Sequence, residues 1–219
     1  MKILNLYACL GGNRFKWDEV AKEAGIKIEV TAVELDPELA RMYKERFPND
    51  TVIIEDAHNY LLNHYQEYNE GFIWSSPPCP THSKINISQY TRESWSPKFP
   101  DMKLYEEIIF LQTFFKGKFV VENVIPYYDP LIFAHKRGRH LYWTNFKLPN
   151  FKERDAKIRT WQLPQLEKHH KIDLSNYNGK QNKRKIGRNL VDYEAGKTIF
   201  ETALGIIRQK NIKQTDLFA

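Results

Sequence analysis

The segment MKILNLYACLGG, residues 1–12, decides the fold class of this chain. Residues 3–7 form an apolar run of strand length that ends in a glycine-rich turn, and an amphipathic stretch over residues 13–24 follows. A buried strand, a glycine-rich turn and a helix in direct succession are typical of the first unit of a parallel α/β sheet. Because the apolar run is short and ends in two glycines, it predicts a first strand and not a signal peptide.

The same alternation continues along the next hundred residues. Further strands are predicted over residues 28–33, 51–54, 72–74 and 118–121, and helices over residues 37–46, 59–68 and 101–115. Strands that alternate with helical patterns predict an α/β fold, with a mostly parallel twisted sheet and helices on both faces. Beyond them, residues 131–133 and 140–144 are expected to pair as a hairpin, and residues 197–210 to form a closing helix.

The composition excludes several classes of protein. The chain has 219 residues, enough for one domain with a sizeable core, and no run approaches the roughly 18 apolar residues of a membrane span. Its two cysteines, Cys9 and Cys79, cannot form a disulfide framework, which predicts a reducing, cytoplasmic location. The histidines and cysteines lack the spacing of zinc ligands, so we expect no metal.

The positive charge is concentrated in one segment. The net charge is +6, and residues 147–190 contain twelve Lys and Arg against four Asp and Glu. A basic segment on a near-neutral body is typical of a surface that binds a polyanion. A solvated lysine-rich face is an equally good interpretation of the charge alone.

Three motifs lie where predicted strands end, at the edge where a parallel sheet binds ligands. The turn at residues 7–12 (YACLGG) can bring backbone close to a ligand. Glu34 and Asp36 end the second strand about twenty residues later, where a carboxylate can hold the hydroxyls of a ribose. Asp56 ends the third strand and can accept from an adenine amino group. Each motif also has a structural interpretation, as an ordinary turn or as a helix cap.

A fourth motif, residues 74–83 (WSSPPCPTHS), holds a thiol between prolines at the end of the fourth strand. Prolines restrict the backbone and keep Cys79 in place, which favours a nucleophile over a small buried hydrophobe. Glu122 leaves the fifth strand and brings a carboxylate to the same edge. A thiol and an acid therefore converge beside a predicted nucleoside site. The long polar and aromatic stretch of residues 84–100 is expected to be a lid.

In their order, these motifs resemble the S-adenosylmethionine-dependent DNA cytosine-5 methyltransferases, and small phage-type members are the nearest match. Residues 7–12 are similar to the family motif Phe-Ala-Gly-x-Gly-Gly, Pro78-Cys79 to Pro-Cys, residues 135–139 (HKRGR) to Gln-x-Arg-x-Arg, and residues 188–191 (RNLV) to Gly-Asn-x-Val. Residues 122–124 are identical to Glu-Asn-Val. The ordered pair of Pro-Cys and Glu-Asn-Val is the most specific part of the resemblance.

The resemblance implies a Rossmann-like class I methyltransferase fold and methyl transfer to carbon 5 of cytosine in DNA, on a flipped base, with S-adenosylmethionine as cofactor. It implies that Cys79 is the nucleophile, that Glu122 is the acid, and that Arg137 and Arg139 orient the base. The residues expected to bind the cofactor are Tyr7, Leu10, Gly11, Gly12, Glu34, Leu35, Asp56, Pro78, Asn189 and Val191. The residues expected to contact nucleic acid are Ser83, Lys84, Lys183, Arg184 and Lys185.

The chain also departs from the family pattern. Cys9 replaces a glycine, Pro80 replaces the glutamine after the nucleophile, and His135 replaces another glutamine. We expect a catalytic and cofactor-binding core over residues 1–146, an irregular basic segment over 147–187 as a reduced recognition region, and a motif and helix over 188–219 that complete the core. Because that segment is too short for a separate recognition domain, recognition is minimal, absent or supplied by a partner chain.

Three alternatives stay open. The same chemistry could act on free cytosine nucleotide, single-stranded DNA or RNA. Residues 76–78 (SPP) also resemble the motif of amino-methyltransferases, but an exocyclic amine needs no thiol nucleophile. An inactive nucleic-acid-binding subunit is the third alternative. The presence of both Cys79 and Glu122 argues against it, because a site that has lost its catalytic activity does not need both residues.

Overall fold

The computed structural model describes residues 1–88, 95–151 and 160–206, and within them one sheet has the strand order β3-β2-β1-β4-β5-β7-β6. The strands are β1 (Lys2–Leu6), β2 (Glu29–Val33), β3 (Thr51–Ile53), β4 (Phe72–Ser75), β5 (Lys118–Val124), β6 (His135–Arg137) and β7 (His140–Thr144). Strands β1 to β5 are parallel, and β7 is antiparallel to both β5 and β6. The predicted α/β fold with a mostly parallel sheet is confirmed.

Helices connect the strands and cover the sheet. They are α1 (Trp17–Glu23), α2 (Pro37–Arg46), α3 (Ala57–His64), α4 (Lys84–Ile87), α5 (Lys103–Phe114), α6 (Leu163–His170), α7 (Lys183–Asn189) and α8 (Tyr193–Ala203). Asp36 and Asp56 cap α2 and α3, because the Oδ1 atom of each accepts hydrogen bonds from backbone N–H groups of the first turn. The interpretation of both residues as helix caps is therefore confirmed.

The core lies on both faces of the sheet. On one face, Leu4 and Ile73 pack in a cluster with Ile108 of α5. On the other face, Ile3 and Trp74 pack in a cluster with side chains of α1 and α8. Because neighbouring residues of a strand point to opposite faces, burial of both faces requires the near-continuous apolar runs seen in the sequence. In the described ranges, no helix is long and apolar enough to cross a membrane.

Strand β5 is longer than predicted. Its pairing with β4 ends at Val121, where the prediction stopped, but pairing with β7 extends it to Val124. Glu122 lies opposite Tyr142 in that antiparallel pair. The carboxylate therefore projects from a strand, which holds it more firmly than the loop that the sequence predicted.

The hairpin partner of residues 140–144 was predicted wrongly. Residues 135–137, and not 131–133, pair with them, and Gly138 and Arg139 form a two-residue turn. Gly138 has a φ of 52°, the positive value that such a tight turn requires. Since glycine meets that requirement inside the HKRGR motif, the strand continues up to Arg137.

The basic segment is more regular than expected. In its described part, α6 and α7 pack against the body of the protein, and Leu174 and Ile186 share an apolar cluster with Leu10 and Leu39. The predicted closing helix corresponds to α8, although residues 207–210 of that prediction lie outside the described residues. Of the expected lid, the structure describes α4 and residues 95–100, and residues 89–94 lie outside the described ranges.

Candidate active site

The carboxyl ends of the parallel strands open into a cavity of about 1080 Å³. The strand order reverses between β1 and β4, and ligands bind at such a switch point in α/β sheets. The residues of the sequence prediction that line it are Tyr7, Gly12, Glu34, Leu35, Asp56, Pro78, Cys79, Ser83, Glu122, Arg139, Lys185, Asn189 and Val191. Since small-molecule sites occupy roughly 300–1,000 Å³, this cavity is as large as the largest of them.

The turn after β1 has a strained backbone. Tyr7 and Cys9 have φ values of 56° and 46°, and Gly11 has a φ of 66°. Positive φ is costly for residues other than glycine, and such strain persists where the surrounding structure enforces it, often at functional sites. Cys9 therefore carries the strain that glycine avoids in the similar family motif.

The backbone of that strained turn hydrogen-bonds to the carboxylate at the end of β2. The backbone N–H of Cys9 donates to Glu34 Oε2 at 2.8 Å, and the N–H of Asp36 donates to Glu34 Oε1 at 2.9 Å. Burial raises the pKa of Glu34, and these two hydrogen bonds oppose that effect. A carboxylate has about four acceptor positions, so Glu34 can still accept from a ligand hydroxyl.

The turn also meets the end of α7. A Cβ atom on Gly12 would lie 2.4 Å from the carbonyl oxygen of Val191, so only glycine allows this approach. Gly12, Asn189 and Val191 thus line one wall of the cavity, although the sequence separates them widely.

The loop that carries Cys79 is held from two sides. The carbonyl oxygen of Cys79 accepts from the N–H groups of His82 and Ser83, at 3.1 and 3.0 Å. Asn123, buried in β5, donates from Nδ2 to the carbonyl oxygen of Pro77 at 2.9 Å. The asparagine of the Glu-Asn-Val motif therefore ties β5 to the loop that carries the thiol.

Opposing charges surround the thiol. Burial and the carboxylate of Glu122 raise the pKa of Cys79, while Lys185 and Arg139 lower it without cancelling the rise. The resting thiol is therefore mostly protonated at neutral pH, and activation requires more positive charge or a base near it.

We expect alkylation of Cys79 by iodoacetamide to accelerate as pH rises, with a midpoint above the ordinary thiol value of about 8.5. Lys185→Gln should slow the reaction at pH 8 because it removes a cation that favours the thiolate, whereas Lys183→Gln should not. Peptide mass spectrometry separates Cys79 from Cys9, whose pKa burial raises to about 12. A midpoint below the ordinary value, or no effect of Lys185→Gln, would contradict this description.

The structure also brings residues to the cavity that the sequence did not indicate. His140 Nε2 lies 3.5 Å from Glu122 Oε1, and both residues line the cavity. Gln181 and Tyr177 donate to Asp36 Oδ2 at 2.9 and 3.3 Å, and the loop of residues 178–181 forms a wall beside Asp36. These contacts join residues that are far apart in the sequence, and local sequence patterns therefore do not predict them.

Arg137 does not line the cavity, although the family resemblance implied that it orients the base together with Arg139. Its guanidinium donates to the carbonyl oxygens of Pro149 and Leu148, at 2.7 and 2.8 Å. The turn at Gly138 breaks the alternation that would place residues 137 and 139 on one face. The position of Arg137 fits a role in holding the hairpin.

Other expected contacts are also absent from the cavity wall. Leu10 is buried in the cluster with Leu39, and a Cβ on Gly11 would meet the Phe47 ring at 2.4 Å. Both residues pack on the side of the turn that faces the protein interior, away from the cavity. Lys84 is exposed on α4 and does not line the cavity.

The three basic residues 183–185 also differ in whether they line the cavity. Lys183 donates to the carbonyl oxygen of Ser175 at 3.1 Å, and Arg184 donates to that of Trp161 at 2.9 Å. Of the three, Lys185 alone lines the cavity.

Charge is unevenly distributed along the cavity. Glu34, Asp36 and Asp56 lie where β2 and β3 end, whereas Arg139 and Lys185 lie near Cys79. The first region suits a cation or a donor-rich nucleoside, and the second suits an anion. Among the described residues, no group of three or more His, Cys, Asp and Glu could hold a metal ion.

Comparison with known proteins gives a family match. A family model described as C-5 cytosine-specific DNA methylase matches residues 1–126. No curated protein sequence matches the chain.

Solved structures of methyltransferases are among those that resemble the chain. The Entamoeba histolytica methyltransferase EhMeth has a TM-score of 0.58 and 8% identity over 95% of this chain and 99% of its own, a likeness of fold. A mutant of DNMT2 from Spodoptera frugiperda has a TM-score of 0.45 and 19% identity over 70% of this chain. The chain spans 53% of that DNMT2 structure.

Proposed function

The chain belongs to the C-5 cytosine-specific DNA methylase family, and from that membership we propose that it methylates carbon 5 of cytosine in DNA through a covalent adduct with Cys79. S-adenosylmethionine is the methyl donor. The observation that carries the proposal is that Cys79 and Glu122, from separate elements, line one cavity with the carboxylates at the ends of β2 and β3.

The chemistry explains why both a thiol and an acid are needed. Carbon 5 of cytosine is a poor nucleophile. Cys79 loses its thiol proton to water and forms a bond from sulfur to carbon 6, while Glu122 in its protonated form gives a proton to ring nitrogen 3, which makes carbon 5 electron-rich. Bound S-adenosylmethionine would supply an electrophilic methyl group, since the bond from its sulfonium sulfur to that methyl group breaks on transfer and the neutral thioether S-adenosylhomocysteine is released. After transfer, the carbon 5 proton leaves to water, the bond from Cys79 to carbon 6 breaks, and the nitrogen 3 proton returns to Glu122.

The acidic part of the cavity fits the cofactor. The Tyr7 ring would stack on the adenine, Glu34 would accept from the ribose hydroxyls, and Asp56 would accept from the adenine amino group through Oδ2. Leu35 and Pro78 supply apolar walls. Asn189 lines the cavity beside the close approach of Gly12 to Val191, and it would bind the amino-acid end of the cofactor.

The basic part of the cavity fits a nucleotide. Arg139 would orient the base and its carbonyl group, and Lys185 would neutralise a phosphate beside it. Ser83 lies at the same wall, and α4 would carry Lys84 at the mouth. Since base stacking in a duplex covers the faces of carbon 6, which the thiol attacks, and of carbon 5, which receives the methyl group, the target base must rotate out into the cavity.

Lys185→Gln should weaken DNA binding and flatten its salt dependence. Loss of one phosphate contact should change the slope of log K against log[salt] by about 0.9 for duplex DNA. Lys183→Gln is the matched control, because Lys183 hydrogen-bonds to a backbone carbonyl oxygen outside the cavity. Fluorescence anisotropy at several salt concentrations measures the slope. An unchanged slope for Lys185→Gln would place the phosphate-binding surface elsewhere.

Nucleoside mass spectrometry tests the substrate. Unmethylated duplex DNA, single-stranded DNA, RNA and free cytidine nucleotide are each incubated with the protein and S-adenosylmethionine, then digested and analysed for 5-methylcytosine or 5-methylcytidine. We expect the product in duplex DNA. Product in RNA or nucleotide alone would overturn the DNA substrate and keep the chemistry. Product that appears only after a partner chain is added would show that recognition comes from outside this chain.

A further inference from the structure

Glu107 is a buried carboxylate that the proposed chemistry does not use. It lies on α5, is 1% exposed, and accepts hydrogen bonds from Tyr7 Oη at 2.5 Å and from Ser75 Oγ at 2.6 Å. His58 Nδ1 lies 3.1 Å from the same carboxylate. These three partners come from the turn after β1, the last residue of β4 and the first turn of α3.

The partners compensate the buried charge. An isolated carboxylate in a core is costly, and such groups are kept only when they are paired and hydrogen-bonded. The hydrogen bond to Glu107 is the main effect that raises the pKa of His58, and Glu106 lies on its other side at 3.2 Å from Nε2. The imidazole ring of His58 and two hydroxyl donors thus surround Glu107.

Two of these contacts act on the candidate active site. Tyr7 has a φ of 56°, a conformation that a bulky residue keeps only when its surroundings enforce it. The bond to Glu107 fixes the hydroxyl end of that ring, which lines the cavity. Ser75 is the last residue of β4, and the loop to Cys79 starts directly after it.

We propose that Glu107 is a positioning residue that sets both the Tyr7 ring at the cofactor end of the cavity and the origin of the loop that carries Cys79. The inference rests on the proposed function. In this proposal, the single buried carboxylate of Glu107 supports both the ring expected to stack on the methyl donor and the loop that carries the proposed nucleophile.

Loss of the Tyr7 contact and loss of the Ser75 contact should affect different constants, the first the Kd for the cofactor and the second kcat. Tyr7→Phe should raise the Kd for S-adenosylmethionine at least about fivefold with kcat nearly unchanged, because the ring loses its anchor. Ser75→Ala should lower kcat with the Kd within twofold. Glu107→Gln, which keeps the volume of the side chain, should do both. The matched control is Glu106→Gln on the same helix, whose side chain is largely exposed and which should change neither constant by more than twofold.

Calorimetric titration with S-adenosylmethionine gives Kd without turnover, and thermal unfolding shows that each variant is folded. Tyr7→Phe should cost less affinity in the Glu107→Gln background than in the wild type, because the carboxamide has already replaced the charge-assisted hydrogen bond to Tyr7 with a weaker neutral one. Unchanged affinity in folded Glu107→Gln, or fully additive losses, would overturn the inference. If Glu107→Gln does not fold, Tyr7→Phe and Ser75→Ala decide through the same two constants. Failure of the wild type to bind the cofactor would instead overturn the proposed function.

Discussion

Cys79→Ser should abolish methyl transfer while cofactor binding persists. A hydroxyl replaces the thiol with little change in size, but it is a far weaker nucleophile at neutral pH. Removal of a catalytic nucleophile commonly costs more than about 1000-fold in kcat, and we expect a loss of at least that size. Initial rates with labelled S-adenosylmethionine measure it, and calorimetric titration measures the Kd, which should stay within twofold.

Cys9→Ser is the matched control for that variant. Cys9 also borders the cavity, but burial raises the pKa of its thiol to about 12, and its backbone N–H makes the contact to Glu34. Because serine keeps that backbone contact, turnover should remain within a few-fold of wild type. Retained turnover in Cys79→Ser, or loss of cofactor binding as its main effect, would refute Cys79 as nucleophile.

Glu122→Gln should give the second largest loss. The carboxamide keeps the shape of the side chain but cannot give a proton to ring nitrogen 3, and acid catalysis is worth about 10²–10⁴-fold. The loss should appear in kcat, because Glu122 lies beside Cys79 and His140 and not among the groups around Glu34. Steady-state kinetics at saturating cofactor measures it.

Glu34→Gln is the matched carboxylate control. Glu34 is held by the N–H groups of Cys9 and Asp36 at the opposite region of the cavity. Its replacement should raise the KM for S-adenosylmethionine with a much smaller effect on kcat. If Glu122→Gln instead raised only that KM, the assignment of acid and cofactor carboxylates would be wrong.

The parallel part of the sheet was predictable because its signals are local. The central strands β1 and β4 are apolar runs buried on both faces, and Asp36 and Asp56 mark the helix starts through their own side-chain caps. The predicted and observed bounds of β1 to β4 differ by one residue. Because the strand ends were placed well, the residues that follow them were placed at the correct edge.

The antiparallel part was harder to predict because it depends on distant partners. Nothing near Val121 shows that β5 continues, since the added residues pair with β7. In the hairpin, Gly138 decides which residues pair, and that choice also separates Arg137 from Arg139. A motif can therefore identify two arginines while the turn between them sends only one to the cavity.

Side-chain networks were the least predictable feature. A count of basic residues cannot show that Lys183 and Arg184 donate to nearby carbonyl oxygens while Lys185 lines the cavity. Likewise, Glu107 looks like an ordinary helical glutamate until the fold brings Tyr7 and Ser75 to it. Such roles follow from tertiary contacts across the chain, which local sequence patterns do not encode.

The covalent bond between Cys79 and the target base is the central claim, and DNA that contains 5-fluorocytosine tests it most directly. Fluorine on carbon 5 cannot leave as a proton does, so release of Cys79 is blocked after methyl transfer. After incubation with S-adenosylmethionine and digestion, mass spectrometry of the Cys79 peptide should show an attached methylated fluorocytosine nucleotide, and the peptide should be unmodified without cofactor. Methylation of ordinary DNA with no adduct at Cys79 on the fluorinated DNA would contradict the account.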